Sequence, residues 1–366
     1  MPRRGGGGVG VVTDSTACLP AELGDGATLL RVVPLNVTIG DVTCPEDEIG
    51  PDAVAAAQEQ GIAVRTSRPS PARFLDAYRD LAAAGCSSLV SVHASEALSS
   101  TVSSARLAAM EADVPVGVVD SRTLGMALGF GTLAALRWAR SGAEPDEVAA
   151  AARATCASSR TAFYVDSLEP LRRGGRIGRA GALFGSALSI KPLLQVCDGA
   201  ITPLARVRSR GKAVERLGSW ALARAEELPR GAPVCAVHSL QHADLADLLV
   251  ERLVTGRSQR GQSGTVETPH ESAPCEPAGS SRVGVSSRGG DGSGTGVREG
   301  DAAVSDDGED GGALQAADGC VGSGDASPVW SLGPVRARLG AVVTAHVGAG
   351  AVAAVVASMP QPHPEA

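Results

Sequence analysis

Over its first 140 residues the chain alternates short apolar runs with longer alanine-rich ones, and few folds accept that rhythm. Residues 9–12 read as a short buried strand that stops at Thr13-Asp14-Ser15-Thr16. Residues 29–37 form a second β-rich run, closed by an Ile39-Gly40-Asp41 turn. Residues 51–60 and 71–84 read as helices, the latter with Ser70 as N-cap. Residues 88–93 are a buried strand, followed by a serine-rich turn and a helix over 101–112. A strand over 114–119 then ends at Asp120-Ser121, which caps a helix running towards Arg140. Strands alternating with helices predict a parallel α/β sheet. Ligands of such sheets sit at the carboxyl ends of the strands. Three polar clusters fall on that edge: residues 13–16, 95–101 and 120–121.

The rest of the chain has a different texture. Residues 147–157 continue as helix, and residues 161–254 read as a second α/β block. It holds a strand at 161–165, an arginine- and glycine-rich loop, a long apolar helix and a run at 201–208. Residues 202–207 alternate polar and apolar, as a half-exposed antiparallel strand does. Residues 256–328 are glycine-, serine- and aspartate-rich, with one leucine (Leu314), no isoleucine and no aromatic residue. Such a segment buries too little apolar area to offset its ordering entropy, so it is expected to be a disordered insertion. Residues 339–359 are apolar for about the length of a membrane span. Thr344, His346 and three glycines interrupt them, and they read better as a buried strand, a glycine turn and a buried helix. The expected domains are therefore 1–160 and 161–366, the second carrying the insertion.

Composition removes several functional classes. A net charge of −7 and 2% aromatic residues do not suit a nucleic-acid or anionic-lipid surface. The eight cysteines are scattered, with no C-x-x-C, and read as reduced, mostly buried thiols of a cytoplasmic protein. The charged start Met1-Pro2-Arg3-Arg4 is followed by glycines and is not read as a signal peptide. The glycines at 5–10 precede a strand instead of joining a strand to a helix, so the Rossmann geometry is absent. No P-loop, nucleophile elbow or H-E-x-x-H motif occurs.

What remains are hydroxyl and arginine clusters. Thr66-Ser67-Arg68-Pro69-Ser70-Pro71 is either a helix cap with a proline turn or a set of donors aimed at an anion. The same two readings hold for Ser95, Ser99, Ser100 and Thr101. His93 reads as a strand residue satisfied internally. Arg172 to Arg179 places four arginines around a glycine turn, which suits either solvent or a phosphate or carboxylate partner. Arg206, Arg208, Arg210 and Lys212 form a second basic patch. His346 precedes Gly348-Ala349-Gly350, where a chain can pass close to a ligand.

In this order the segments resemble the DegV family of bacterial fatty-acid-binding proteins. The resemblance rests on Val12-Thr13-Asp14-Ser15-Thr16-Ala17, the hydroxyl-proline run from Thr66, Ser91-Val92-His93-Ala94-Ser95 with Leu98-Ser99-Ser100-Thr101, and Val119-Asp120-Ser121. It continues with Gly174-Gly175-Arg176-Ile177, Lys191-Pro192, Arg206-Val207-Arg208 and Ala345-His346-Val347-Gly348. It implies a two-domain α/β fold, with a parallel three-layer α/β/α first domain and a mixed-sheet second domain. The ligand it implies is a long-chain fatty acid in a buried tunnel, with no cofactor and no stable membrane insertion. It further implies that a separate fatty acid kinase phosphorylates the presented carboxylate for phospholipid synthesis, and that the carrier is no enzyme itself. Carried over by position, Thr66, Ser67, Ser99, Ser95 and His346 gather at the carboxylate, and Arg176 and Arg208 face the phosphate or the partner. The sequence departs from the family pattern at Arg68, Glu96, Ser100 and Ala349. Glu96 would repel a carboxylate unless it turns outward or pairs, with Arg68 the expected partner. The rival from another class is a serine hydrolase or acyltransferase using Ser99 and His346 with Asp14 or Asp120. A third reading is a module for some other amphipathic anion.

Overall fold

The computed structural model describes residues 7–21, 28–183, 191–229, 232–260 and 333–362. In chain order the strands are β1 (Val9–Asp14), β2 (Leu30–Val33), β3 (Asn36–Ile39), β4 (Val42–Pro45), β5 (Val64–Ser67), β6 (Ser88–His93) and β7 (Val116–Asp120). They continue as β8 (Arg160–Tyr164), β9 (Lys191–Cys197), β10 (Ala200–Val207), β11 (Ala232–Ser239), β12 (Val335–Arg338) and β13 (Val352–Met359).

The order β2-β1-β6-β7 makes a wholly parallel sheet. β1 and β6 are buried along their whole length, as strands covered on both faces must be. Helices Pro71–Ala83 and Thr101–Ala109 cover one face around Phe74, Tyr78 and Ala105. Helices Met126–Arg140 and Pro145–Ser158 cover the other around Leu128, Ala135 and Val148. This is the expected α/β/α arrangement. Helix Met126–Arg140 is apolar nearly all round because its far side also meets a sheet: Met126, Phe130 and Ala134 pack on Ala236, Val355 and Ala357.

That second sheet has the order β10-β9-β8-β13-β11-β12 and is antiparallel except for the β11–β12 pair. Helices Arg210–Glu226 and Ala243–Arg260 lie on its outer face, where Leu217, Trp220 and Leu249 close the core. The mixed sheet predicted for the second half is therefore present. A small antiparallel sheet, β4-β3-β5, is joined to helix Pro51–Glu59.

Some expectations are corrected. Residues 29–37 are not one strand, because Pro34 lacks the N–H needed to continue a ladder. The chain leaves the parallel sheet at Val33, and Leu35 donates instead to Ser15 Oγ at 3.0 Å. The apolar stretch 339–359 runs in the opposite order to the one expected: helix Ala341–Val347, a turn at Gly348 with φ 81°, then β13. A continuously buried apolar run carries no period to separate helix from strand. Asp120-Ser121 caps no helix; Asp120 Oδ1 accepts from the N–H groups of Glu96 and Arg122, and the helix begins at Met126. Helix Ala243–Arg260 overlaps the start of the expected insertion. The remainder of the insertion to residue 328, and residues 184–190 of the expected long apolar helix, lie outside the described residues. Cys18, Cys44, Cys86, Cys156 and Cys235 are free thiols, but Cys197 is disulfide-bonded, against the all-reduced expectation. Among the described residues no helix is long and apolar enough to cross a membrane.

Candidate functional site

The carboxyl ends of the parallel strands border a cavity. Thr16 reaches it from the turn after β1, Leu98 and Ser99 from the loop after β6, and Leu124 from the loop after β7. Thr66 comes from β5, where side chains alternate: Val64 and Thr66 are half-buried while Arg65 and Ser67 are exposed. His346 and Val343 come from helix Ala341–Val347, which two side chains hold in place. Val342 N–H donates to Glu46 Oε1 at 2.8 Å, and Gln58 Nε2 donates to the Ala345 carbonyl at 3.0 Å. Burial raises the Glu46 carboxyl, against hydrogen bonds from Ser15 and from the start of this helix.

Each polar group of the cavity wall is held by a hydrogen-bond partner. His346 Nε2 and Thr66 Oγ1 are 2.8 Å apart. Burial, and next the nearby Arg176 cation, push the His346 ring down to about 4, so it is neutral at pH 7. Its Nδ1 has no hydrogen-bond partner. Ser99 Oγ lies 2.8 Å from Thr101 Oγ1 at the start of helix Thr101–Ala109. Arg176 donates from Nε to the Leu98 carbonyl at 3.0 Å and from Nη1 to the Gly174 carbonyl at 2.7 Å. Those two bonds fix a full positive charge at the cavity wall while leaving other N–H groups for a ligand.

A second cavity adjoins the first and shares Leu124, Ile201, Val343 and Val347 with it. Its remaining lining is mostly apolar, including Phe163, Val196, Leu339, Ala353 and Val355 from the second sheet and its surroundings. A chamber carrying hydroxyls, a histidine and an arginine among apolar residues thus adjoins one that is lined almost wholly by apolar groups. That shape and chemistry match an anion carrying a long hydrocarbon.

The DegV family model, described as an uncharacterised protein family, matches residues 8–269. The chain belongs to the DegV family. A DegV domain-containing protein of Streptomyces coelicolor is 47% identical over 247 residues, which is 67% of this chain and 86% of that protein. Among solved structures, a DegV family protein from Thermus thermophilus, described by its fatty acid binding, superposes with a TM-score of 0.71 at 26% identity. The match covers 96% of this chain and all of that one. The fatty acid binding DegV of Bacillus subtilis has a TM-score of 0.68 over 96% of this chain and 99% of its own, and at 23% identity it supports the fold alone.

Against the family pattern, the residues singled out from sequence separate into two groups. Thr66, Ser99, His346 and Arg176 line one cavity. Ser67, Ser95 and Arg208 are not among its lining residues. Ser67 faces outward from β5, with Asn36 Nδ2 at 3.5 Å from its hydroxyl. Ser95 is buried and donates to the Gly199 carbonyl at 2.8 Å, tying the β6 loop to the β9–β10 turn. Arg208 is exposed just past β10. Glu96 turns outward and pairs with Arg106 at 2.9 Å, not with Arg68. Thr16 was not singled out, although it belongs to the polar cluster after β1. Its N–H and hydroxyl both donate to Asp14 Oδ1. The hydrolase arrangement is not assembled: Ser99 bonds Thr101 and not His346, Asp14 bonds His93, and Asp120 binds backbone N–H groups.

Proposed function

We propose that this DegV-family protein is a carrier that binds one long-chain fatty acid, with its carboxylate in the polar cavity and its tail in the apolar one. The observation carrying this reading is the shared wall between the two cavities, with Thr66, Ser99, His346 and Arg176 confined to one side. Thr66 and Ser99 donate to the carboxylate, Arg176 offsets its charge, and neutral His346 supports Thr66. Ser95 serves indirectly by anchoring the loop that carries Ser99. Each methylene moved from water into the apolar chamber contributes roughly 0.8 kcal/mol, so the tail dominates affinity even after association costs are subtracted. Hydroxyl donors hold the head without consuming every oxygen lone pair, which leaves it open to phosphoryl transfer.

In this reading chemistry belongs to a separate, ATP-dependent fatty acid kinase in the cytoplasm. Exposed Arg208 faces that partner, and the acyl phosphate feeds phospholipid synthesis. The two lobes divide near residue 160, the first supplying the hydroxyl loops and the second the tail chamber. Native mass spectrometry of the purified protein, with extraction of the bound lipid, tests the binding step. A stoichiometric fatty acid is expected. An empty protein that also takes up no added fatty acid overturns the reading.

A further inference from the structure

Gly174-Gly175 reads in sequence as one flexible turn, yet its two glycines are needed for different reasons. Gly175 has φ 68° and open space around the position of a Cβ, so its requirement is conformational. Gly174 has φ −73° and ψ −9°, a backbone open to ordinary L residues. What it lacks is room: a Cβ there would lie 2.2 Å from His346 Nδ1 and 2.8 Å from its Cε1.

We propose that Gly174 is a positioning residue of the carboxylate site, which seats the His346 ring and decides which ring nitrogen holds the proton. The inference rests on the carboxylate reading of the cavity. A proton on Nδ1 would run into the Gly174 hydrogen that stands in place of a Cβ. It would also be a buried donor without an acceptor, since Nδ1 has no partner. A bare lone pair in the same place tolerates a Cα–H neighbour. The ring proton therefore sits on Nε2 and is donated to Thr66 Oγ1 across 2.8 Å. Thr66, accepting from the ring, keeps its own proton for the ligand carboxylate. In the opposite tautomer that proton would be given to Nε2, and Thr66 would turn oxygen lone pairs towards an anion. Arg176 completes the clamp, because its bonds to the Gly174 and Leu98 carbonyls hold this turn against the loop bearing Ser99.

The test is ring-nitrogen NMR of histidine-labelled protein, with palmitate binding measured in parallel on wild type and Gly174→Ala. Wild type is expected to show neutral His346 protonated at Nε2. Gly174→Ala is expected to alter that signature and weaken palmitate by about ten- to hundredfold, the scale of a lost hydrogen bond to a charged group. A wild-type ring protonated at Nδ1 overturns the proposal, and this holds even if the variant fails to fold. So does a folded variant with unchanged spectrum and affinity. Wild-type protein that takes up no palmitate overturns the cavity reading itself, which the spectrum distinguishes from a wrong tautomer.

Discussion

Two histidines sit among hydroxyls in this protein, and they are wired in opposite ways. His93 has a carboxylate on one side and a serine on the other: Nδ1 lies 3.0 Å from Asp14 Oδ2 and Nε2 lies 2.6 Å from Ser91 Oγ. Tyr78 OH extends the chain by donating to Ser91 at 2.9 Å, and Phe74 stacks edge-on against the ring. Asp14, Ser91 and His93 are all fully buried. Burial alone would raise the Asp14 carboxyl, but bonds from His93, Thr16 and Ala94 hold it below the ordinary range. His346 has the reverse endowment, a cavity in front of it and no carboxylate partner. The triad of residue types is thus sealed away from any ligand, while the histidine in the cavity lacks the acid that would make it a base. Residue type alone separates neither role. One constellation braces β1 against β6, and the other faces a cavity.

The largest effect should come from breaking the brace. His93→Ala leaves the buried Asp14 carboxylate short of its partner, a loss on the order of 3–5 kcal/mol. Urea unfolding should show it as a lower midpoint, and a change under about 1 kcal/mol would contradict the bracing role. Thr66→Val acts on the other constellation. It should cost about 1.5–3 kcal/mol of fatty-acid affinity by calorimetry with little change in unfolding. A variant that lost stability and kept affinity would reverse the comparison.

The pH dependence is smaller per unit and has a defined sign. His346 is lowered from 6.5 to about 4, as is buried His238, so the unfolded chain binds their protons more readily. Their contribution to stability is complete above roughly pH 6.5 and is lost as pH falls towards about 4. His346→Asn should remove about one proton's share of that slope, roughly 1.4 kcal/mol per pH unit at most. An unchanged slope would mean that His346 is not held neutral. The smallest expected effect is in turnover. Ser99→Ala should weaken fatty-acid binding severalfold, but no ester hydrolysis should be measurable before or after the change; hydrolysis abolished by it would restore the enzyme reading.

The parallel sheet was legible because its strands are short apolar runs punctuated by helices, and its carboxyl edge indeed borders the cavity. The pairing of Thr66 with His346 was legible only through the family resemblance, since 280 residues separate them and no local pattern connects them. Which hydroxyl of Thr66-Ser67 turns inward depends on the β3–β5 register, which composition does not report. Arg176, expected to face the phosphate or the partner, lines the cavity because the Gly174 carbonyl of its own turn and the distant Leu98 carbonyl capture its guanidinium. The inverted order of helix and strand after Leu339 has the simplest cause, a run too uniformly buried to show a period.

The position of β13 has a consequence for how the protein is made. It lies between β8 and β11 in the second sheet, and it is the last of the described strands in chain order. At about 5–20 residues per second, the parallel sheet can assemble while the ribosome is still at work. The second sheet lacks its middle, and the cavity lacks His346, until residues 341–359 emerge. A nascent chain that has not yet released β13 therefore has no finished chamber, and under the proposed carrier reading a fatty acid can enter only after that strand has joined the sheet.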